Sequence, residues 1–460
     1  MDIMQRLQSL EKFGIKPGLG RITAMLGFLH HPETSYKTII VGGTNGKGST
    51  CAMVDSILRA AGYRTGFYSS PHLVSLNERI RVNGTMIEDA AFEAIAEHLF
   101  GIIDEHTEAA ELTYFEFMTA AALLHFKNEK IDCAVLEVGM GGRFDAVNAV
   151  QPEVSIITNI ALDHQHYLGT TVEQIAREKA GIIRKGRPFV TTDTAPASRR
   201  ILEEECSRQG GVLYALNRDF SISGTTGNFD FNGKQQILQG LQISLNGRHQ
   251  LDNAAAAIQA VLLLGLRGTR VTGTAIKNGL ALTSWPGRFE LVHKKPDVIL
   301  DSAHNPAGVH SLVQAFKDTY CGREPAGPHT AALPEKLSPS LDPPVPLPDN
   351  SHGPSHNNRA SVTIVFAVSK DKDWRAMLTL LASIAQRFVV TSYTGERSAD
   401  PGELADFIRS NNLAALQPDD IADRPERALT RALAITPDTG VILVTGSIFF
   451  IGEIKKETVL

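Results

Sequence analysis

Residues 37–50 read Lys37-Thr38-Ile39-Ile40-Val41-Gly42-Gly43-Thr44-Asn45-Gly46-Lys47-Gly48-Ser49-Thr50. The apolar run before the glycines predicts a buried strand. Ser49-Thr50-Cys51-Ala52-Met53-Val54-Asp55-Ser56-Ile57-Leu58 predicts a helix. A strand, a glycine-rich loop and a helix in that order make a cradle for phosphate. The glycines let backbone N–H groups turn inward, the helix N-terminus adds positive potential, and Lys47 brings a mobile charge. Gly48 separates Lys47 from the hydroxyls of Ser49 and Thr50, a departure from the commonest spacing. A plain strand–helix turn with a solvated lysine is the competing reading; the flanking elements favour a nucleoside triphosphate.

Outward from this loop, short apolar runs alternate with helical patterns up to about residue 210. Ile131–Val138 and Val154–Ile160 read as buried strands, and Phe115–Lys127 and Val172–Ala180 as helices. Such alternation predicts a mostly parallel sheet flanked by helices. Residues 212–248 suggest hairpins at the edge of this domain, and 251–268 a long apolar helix. Trp285-Pro286-Gly287-Arg288 looks like a boundary. A second alternation follows, with strands expected at Asp297–Asp301, Val362–Val368, Phe388–Thr391 and Gly440–Thr445 and helices between, as in a doubly wound α/β domain. Cys321–Ala360 holds nine of the 22 prolines and few apolar residues, so a disordered insertion is expected at 321–360.

The bulk numbers exclude several classes. At 460 residues the chain has room for two or three domains. A net charge of −5 without a basic block argues against nucleic acid as partner. The longest apolar stretch, Ala254–Leu266, is too short to cross a bilayer, and the N-terminus lacks a signal-peptide core. The four cysteines form no CxxC pair, so neither a zinc site nor a disulfide framework is indicated. A cytoplasmic protein without membrane or nucleic-acid partners is the expectation.

Polar residues collect where the strands end. Glu137 closes its strand, and ligands of open α/β sheets sit at strand carboxyl ends, so this carboxylate is suited to Mg²⁺. Asp163-His164 and Tyr68-Ser69-Ser70-Pro71-His72 follow neighbouring strands, which turns Ser70, Glu137 and His164 toward one region. Taken alone, His164 reads as a structural hydrogen-bonder and Ser70 as a turn residue. Lys179 beside Glu178 reads as a solvated helix face. Asp252-Asn253 reads equally as a helix cap or a contact. Asp301-Ser302-Ala303-His304-Asn305-Pro306 opens the second domain's first strand–helix turn, where Asp301 and His304 could meet a ligand.

Nine ordered motifs resemble one family. They are Gly43–Ser49, Ser69–Leu73, Asn77–Ile80, Leu112–Glu116, Leu136–Gly139, Leu162–His164, Glu178–Ile182, Gly287–Glu290 and Asp301–Pro306. Together they are similar to the folylpolyglutamate synthases of the Mur ligase family, in particular the bacterial type that is also a dihydrofolate synthase. The resemblance runs from about residue 11 to 455, the insertion excepted. It implies a phosphate-loop ATPase domain over 1–286 with a mostly parallel sheet, joined to a Rossmann-like ligase domain over 287–460, with the site in the cleft.

By motif position, the resemblance implies that Thr44, Asn45, Gly46, Lys47, Gly48, Ser49, Asn253, Arg288 and Asp301 bind ATP. It implies a pterin pocket from Thr113, Tyr114, Phe115, Glu116, Phe144, Asp145 and Ala146. Ser70, Glu137 and His164 would bind Mg²⁺, and Lys179, as a carbamate, a second ion. Lys47, Lys179 and His304 would be catalytic. Ile15-Lys16-Pro17 departs from the acidic form of that wall. The implied substrates are dihydropteroate or reduced folates, L-glutamate and ATP, the implied state a monomer, and the implied reaction amide formation through an acyl phosphate. A Mur-type ligase acting on a different carboxylic acid is the alternative.

Overall fold

A computed structural model describes residues 3–14, 16–107, 111–321 and 361–457. The expected insertion at 321–360 lies, Cys321 apart, outside the described residues, as does Ile15.

The first strand, β1 (Lys37–Gly42), sits inside an eight-stranded sheet with β2 (Thr65–Tyr68), β3 (Ile80–Val82), β4 (Thr85–Met86), β5 (Cys133–Glu137), β6 (Val154–Ile157), β7 (Pro188–Thr191) and β8 (Val212–Ala215). Their order is β4-β3-β2-β5-β1-β6-β7-β8. From β2 to β8 every pairing is parallel, while β3 and β4 add antiparallel at one edge. Both faces are covered, which explains why β1 reads as an unbroken apolar run. Ile40 and Leu136 point into one core with the helix Tyr114–Asn128. Ile39, Val41 and Val135 point into the other, against the helices Lys47–Ala60 and His249–Gly265. Truncating a side chain such as Ile40 to alanine would cost about 2–5 kcal/mol.

A second, antiparallel sheet joins β9 (Phe220–Thr225), β10 (Asn228–Gly233) and β11 (Ile237–Leu241). The hairpin expectation for 212–248 therefore holds only after residue 219, because β8 has joined the main sheet. The third sheet holds β12 (Glu290–His293), β13 (Asp297–Asp301), β14 (Val362–Phe366), β15 (Arg387–Val390) and β16 (Val441–Thr445), in the order β12-β13-β16-β14-β15. Its last four strands run parallel, and β12 is antiparallel to β13.

Several boundaries move for local reasons. The helix after β13 begins at Pro306, because the Asn305 side chain accepts from Gly308 N and proline suits the first helical position. The helix expected from residue 251 begins at His249 with Arg248 at its cap, so Asp252 and Asn253 lie inside the first turns and cap nothing. Strand β6 ends at Ile157 rather than Ile160. Thr158 and Asn159 leave the sheet to hold the phosphate loop.

Candidate active site

The loop after β1 is shaped by what would collide with a side chain. Gly43 has φ 141° and Gly46 φ 84°, both left-handed. A Cβ at 43 would lie 1.9 Å from Thr158 Oγ1, and one at 46 would lie 2.3 Å from Asn253 Oδ1. Neither position tolerates alanine without rebuilding the loop. The neighbouring strand end fixes its path. Thr44 N donates to Asn159 O at 2.7 Å, Asn45 N to Asn159 Oδ1 at 2.9 Å, and Thr158 Oγ1 to Asn45 O at 2.6 Å. Lys47 folds back, with Nζ 3.3 Å and 3.1 Å from the carbonyls of Gly43 and Thr44. Gly48 and Ser49 are buried in the helix's first turn.

A pocket opens directly over this loop. Lys47, Gly139, Asp163, His164, Lys179 and His304 all line it, the last from the second α/β unit. Lys179 is buried, donating to Gly43 O at 2.9 Å, so its reading as a solvated helix face is overturned. Charge next to Glu178 misled; the amphipathic helix Val172–Ala180 turns Lys179 inward with Ile175 and Ala176. Burial, helped by the charge of Lys47, lowers its pKa to about 7. Glu137 is buried at the end of β5, and burial raises its carboxyl above the usual range against the opposing pull of Lys47. Among the described residues it accepts a hydrogen bond from Ser70 N at 3.2 Å.

Asp163 is the hub of the pocket's far wall. Lys372 forms a short ion pair with it, Asn305 Nδ2 donates to it at 3.0 Å, and His304 Nε2 lies at 3.7 Å. Burial alone would raise this carboxyl; the nearby His304 and the charges of His164 and Lys372 outweigh it and hold it well below the carboxylate range. His164 itself, in a left-handed conformation with φ 49°, has its pKa lowered to about 4, chiefly by burial. Asn45 and Asn305 exchange side-chain hydrogen bonds of 3.2 and 3.0 Å across the cleft.

The residues aligned with a pterin pocket serve several structural ends. Thr113 and Glu116 form a reciprocal capping box at the start of Tyr114–Asn128, and Arg21 Nε donates to Glu116 at 3.0 Å. Tyr114 lies under Arg79, 5.4 Å from guanidinium to ring centroid. Phe115 closes on Gly139, where an added Cβ would be 2.6 Å from its ring. Asp145 is buried and caps Ala146–Ala149, and burial pushes its pKa up to about 7 despite the backbone N–H groups of Met140 and Val147. Ala146 is packed in the core, whereas Phe144 is 49 % exposed.

From the second unit, Asp301 ends β13 and accepts from Phe289 N and Ala303 N, each at 2.9 Å. The positive charge of Arg288 acts on both Asp301 and Glu137. Of the residues the sequence assigned, Lys47, Lys179, His164 and His304 line this pocket, while Glu137 lies under the charge of Lys47 with Ser70 bonded to it, and Arg288 acts on both Glu137 and Asp301. The sequence did not assign Asp163, Asn159, Asn305 or Lys372. Lys372 sits in the charged run Lys370-Asp371-Lys372-Asp373, which carries no signal separating it from solvated lysines. Among the described residues no three His, Cys, Asp or Glu side chains converge as a ready-made metal cluster.

The chain is similar to known proteins in sequence and fold. Residues 41–261 match the Mur ligase middle domain. The chain is 34 % identical to the dihydrofolate synthase/folylpolyglutamate synthase of Bacillus subtilis over 458 residues, which is 97 % of this chain and 96 % of the relative. It is 29 % identical to Escherichia coli FolC in complex with DHPP and ADP, with a TM-score of 0.81 covering 99 % of this chain and 97 % of that one. A bifunctional folylpolyglutamate synthase/dihydrofolate synthase with Mn, AMPPNP and L-glutamate bound is likewise 29 % identical, with TM-score 0.81 over 99 % of this chain and 98 % of its own. The sequence and its fold agree: the chain belongs to the dihydrofolate synthase/folylpolyglutamate synthase family of Mur ligases.

Proposed function

We propose that this protein is an ATP-dependent ligase that joins L-glutamate to dihydropteroate and adds further glutamates to the γ-carboxyl of reduced folates. The observation that carries the reading is the meeting of a phosphate loop, a buried lysine and a histidine of the second unit around one pocket, with the buried carboxylate of Glu137 under the charge of Lys47 beside it. We take residues 1–286 as the ATPase domain and 287–460 as the ligase domain, working as a monomer. The neighbour holding Mn, AMPPNP and L-glutamate supports use of a nucleotide and a divalent metal.

The donor set suits a hard divalent cation. Glu137 is a buried carboxylate whose pKa burial raises, so a cation beside it would relieve the cost of its charge. Ser70 and His164 would complete one Mg²⁺ site. Lys179 would supply the other: with its pKa near 7, about half the amine is neutral at pH 7 and free to add to carbon dioxide, releasing a proton and leaving a carbamate. Bound there, the metal ions would neutralise charge between the ATP phosphates and the acceptor.

The chain's own groups do the rest. Lys47 and the N-terminus of Lys47–Ala60 hold the phosphates while the acceptor carboxylate takes the γ-phosphoryl group, forming an acyl phosphate and releasing ADP. The amine of glutamate then attacks the acyl carbon; the C–N bond forms, phosphate leaves with the old C–O bond, and the amine proton passes to solvent. With a free amine pKa near 8, roughly a tenth of the amine is already neutral at pH 7, so no dedicated base is required. Arg288 and His304 stabilise the charge that develops. Joining the two units across Asn45–Asn305 and Asp163–Lys372 keeps water from the acyl phosphate.

ADP release by the purified protein, with Mg-ATP and L-glutamate plus either dihydropteroate or tetrahydrofolate, tests the reading. Glutamate-dependent turnover with both acceptors is expected. Turnover with tetrahydrofolate alone would reduce it to a polyglutamate synthase, and turnover with neither would point to a Mur-type ligase for another acid.

A further inference from the structure

The segment between β2 and β3 touches the active site and the second unit within four residues. Ser70 N meets Glu137, the residue before the pocket-lining Val138 and Gly139. Leu73 packs against the apolar cluster formed by Phe450, Ile451 and Ile454 of the helix Ile448–Glu457. Between these points the segment is stiff. The carboxylate of Glu78 accepts from the backbone N–H groups of Leu73, Val74 and Ser75 at 2.9, 2.8 and 2.8 Å. Arg79 Nε donates to His72 Nδ1 at 3.0 Å, and Ser69 N to Arg79 O at 3.0 Å.

Its seat on the far helix requires a missing side chain. A Cβ on the buried Gly452 would lie 1.9 Å from the backbone carbonyl oxygen of Leu73, a contact only a backbone shift could relieve. Glycine inside a helix costs about 1 kcal/mol relative to alanine, so the helix gains nothing from it. We infer that Gly452 is a positioning residue: it admits the Leu73 carbonyl against the second unit's last helix and so fixes the rigid segment that carries Ser70 to the pocket. Contact with the second unit is thereby transmitted to the Ser70–Glu137 side of the pocket. The consequence for turnover rests on the reading of Ser70 given above; the seat itself does not.

Gly452→Ala tests it, with Gly101→Ala as control, since a Cβ at the helical Gly101 would meet nothing within 4 Å. Helix propensity alone predicts that both variants melt at or above the parent temperature. In Gly452→Ala, amide hydrogen exchange of Leu73, Val74 and Ser75 without ligands is expected to rise several-fold, on the scale of local opening. Its kcat is expected to fall on the order of 10- to 100-fold, as for a catalytic group displaced by about 1 Å. Gly101→Ala should change neither. Parent-like exchange at these amides in Gly452→Ala would overturn the inference. Should that variant fail to fold, Leu73→Ala carries the test, because it removes the anchor without adding volume and should raise the same exchange. Ser70→Ala separates the two layers: full activity there would end the reading of Ser70 while leaving the exchange result to decide Gly452.

Discussion

The two parallel sheets present their carboxyl ends to the same cleft with opposite chemical characters. At the ends of β1, β5 and β6 the first sheet gathers the half-buried Lys47 with Glu137, Asp145 and, nearby, Lys179, the last three buried and with pKa values driven by burial. The second sheet brings Asp301, buried at the end of β13, and Arg288, His304, Asn305 and Lys372 from the loops beside it. Its own core is closed and apolar. The first unit thus stores electrostatic cost in a preformed floor, and the second completes and shields it. Burying charge is tolerable only where a counter-charge arrives, and here much of that charge arrives from the other unit.

Breaking the floor should have the largest effect. Lys47→Ala is expected to lower kcat/KM on the order of 10²–10³-fold or more, as does loss of a preorganised donor to a charged transition state, with the melting temperature little changed. Lys179→Met follows, measured as ADP release with and without added short carboxylates, which should restore part of the activity to Lys179→Ala. It also has a pH signature in stability. The folded pKa of Lys179, about 7, lies below its unfolded value, so the unfolded chain binds more protons between about 7 and 10.5. The parent is therefore penalised fully below pH 7 and less as pH rises toward 10.5. With carbon dioxide excluded, so that Lys179 stays a free amine, Lys179→Met should be more stable than the parent near neutrality, with the gap closing in alkali; a gap constant from pH 7 to 10 would mean that the lysine is not buried.

Breaking the contact between units should come next. Lys372 and Asp163 are only 8 % and 7 % exposed, so Lys372→Met leaves a buried carboxylate without its ion-pair partner. Loss of one partner from such a pair costs about 3–5 kcal/mol. Calorimetry should find that cost largely recovered in Lys372→Met/Asp163→Asn, and ATP hydrolysis uncoupled from amide formation should rise in the single variant. Arg288→Ala should be mildest, depressing turnover about tenfold, or 1.4 kcal/mol in the barrier, with a smaller change in ATP affinity. A loss confined to ATP binding would make Arg288 a simple nucleotide contact and weaken the contrast between floor and cover.

The phosphate loop was legible because glycine and lysine spacing encodes backbone conformation locally: Gly43 and Gly46 both take positive φ, which glycine allows most readily. The strand ends were legible because an apolar run stops at a polar residue, as at Glu137. Lys179 was misread from its neighbours, since charge beside Glu178 says nothing of which helix face meets the sheet. Thr113 and Glu116 were legible as a motif, but their reciprocal capping and the partner Arg21, 95 residues away from Glu116, were not. Lys372 lies 209 residues from Asp163, and no local pattern links them.

By itself, then, the sequence determined the alternation of strands and helices, the phosphate loop and the strand-end carboxylate, all of which follow from periodicity and backbone preference within a few residues. Only the tertiary structure decided which lysine is buried, which carboxylate is the hub, and that Gly452 must lack a side chain. Those properties depend on desolvation and close contact between elements distant in the chain: for Lys179 within the first unit, and for Asp163 and Gly452 where the two units meet.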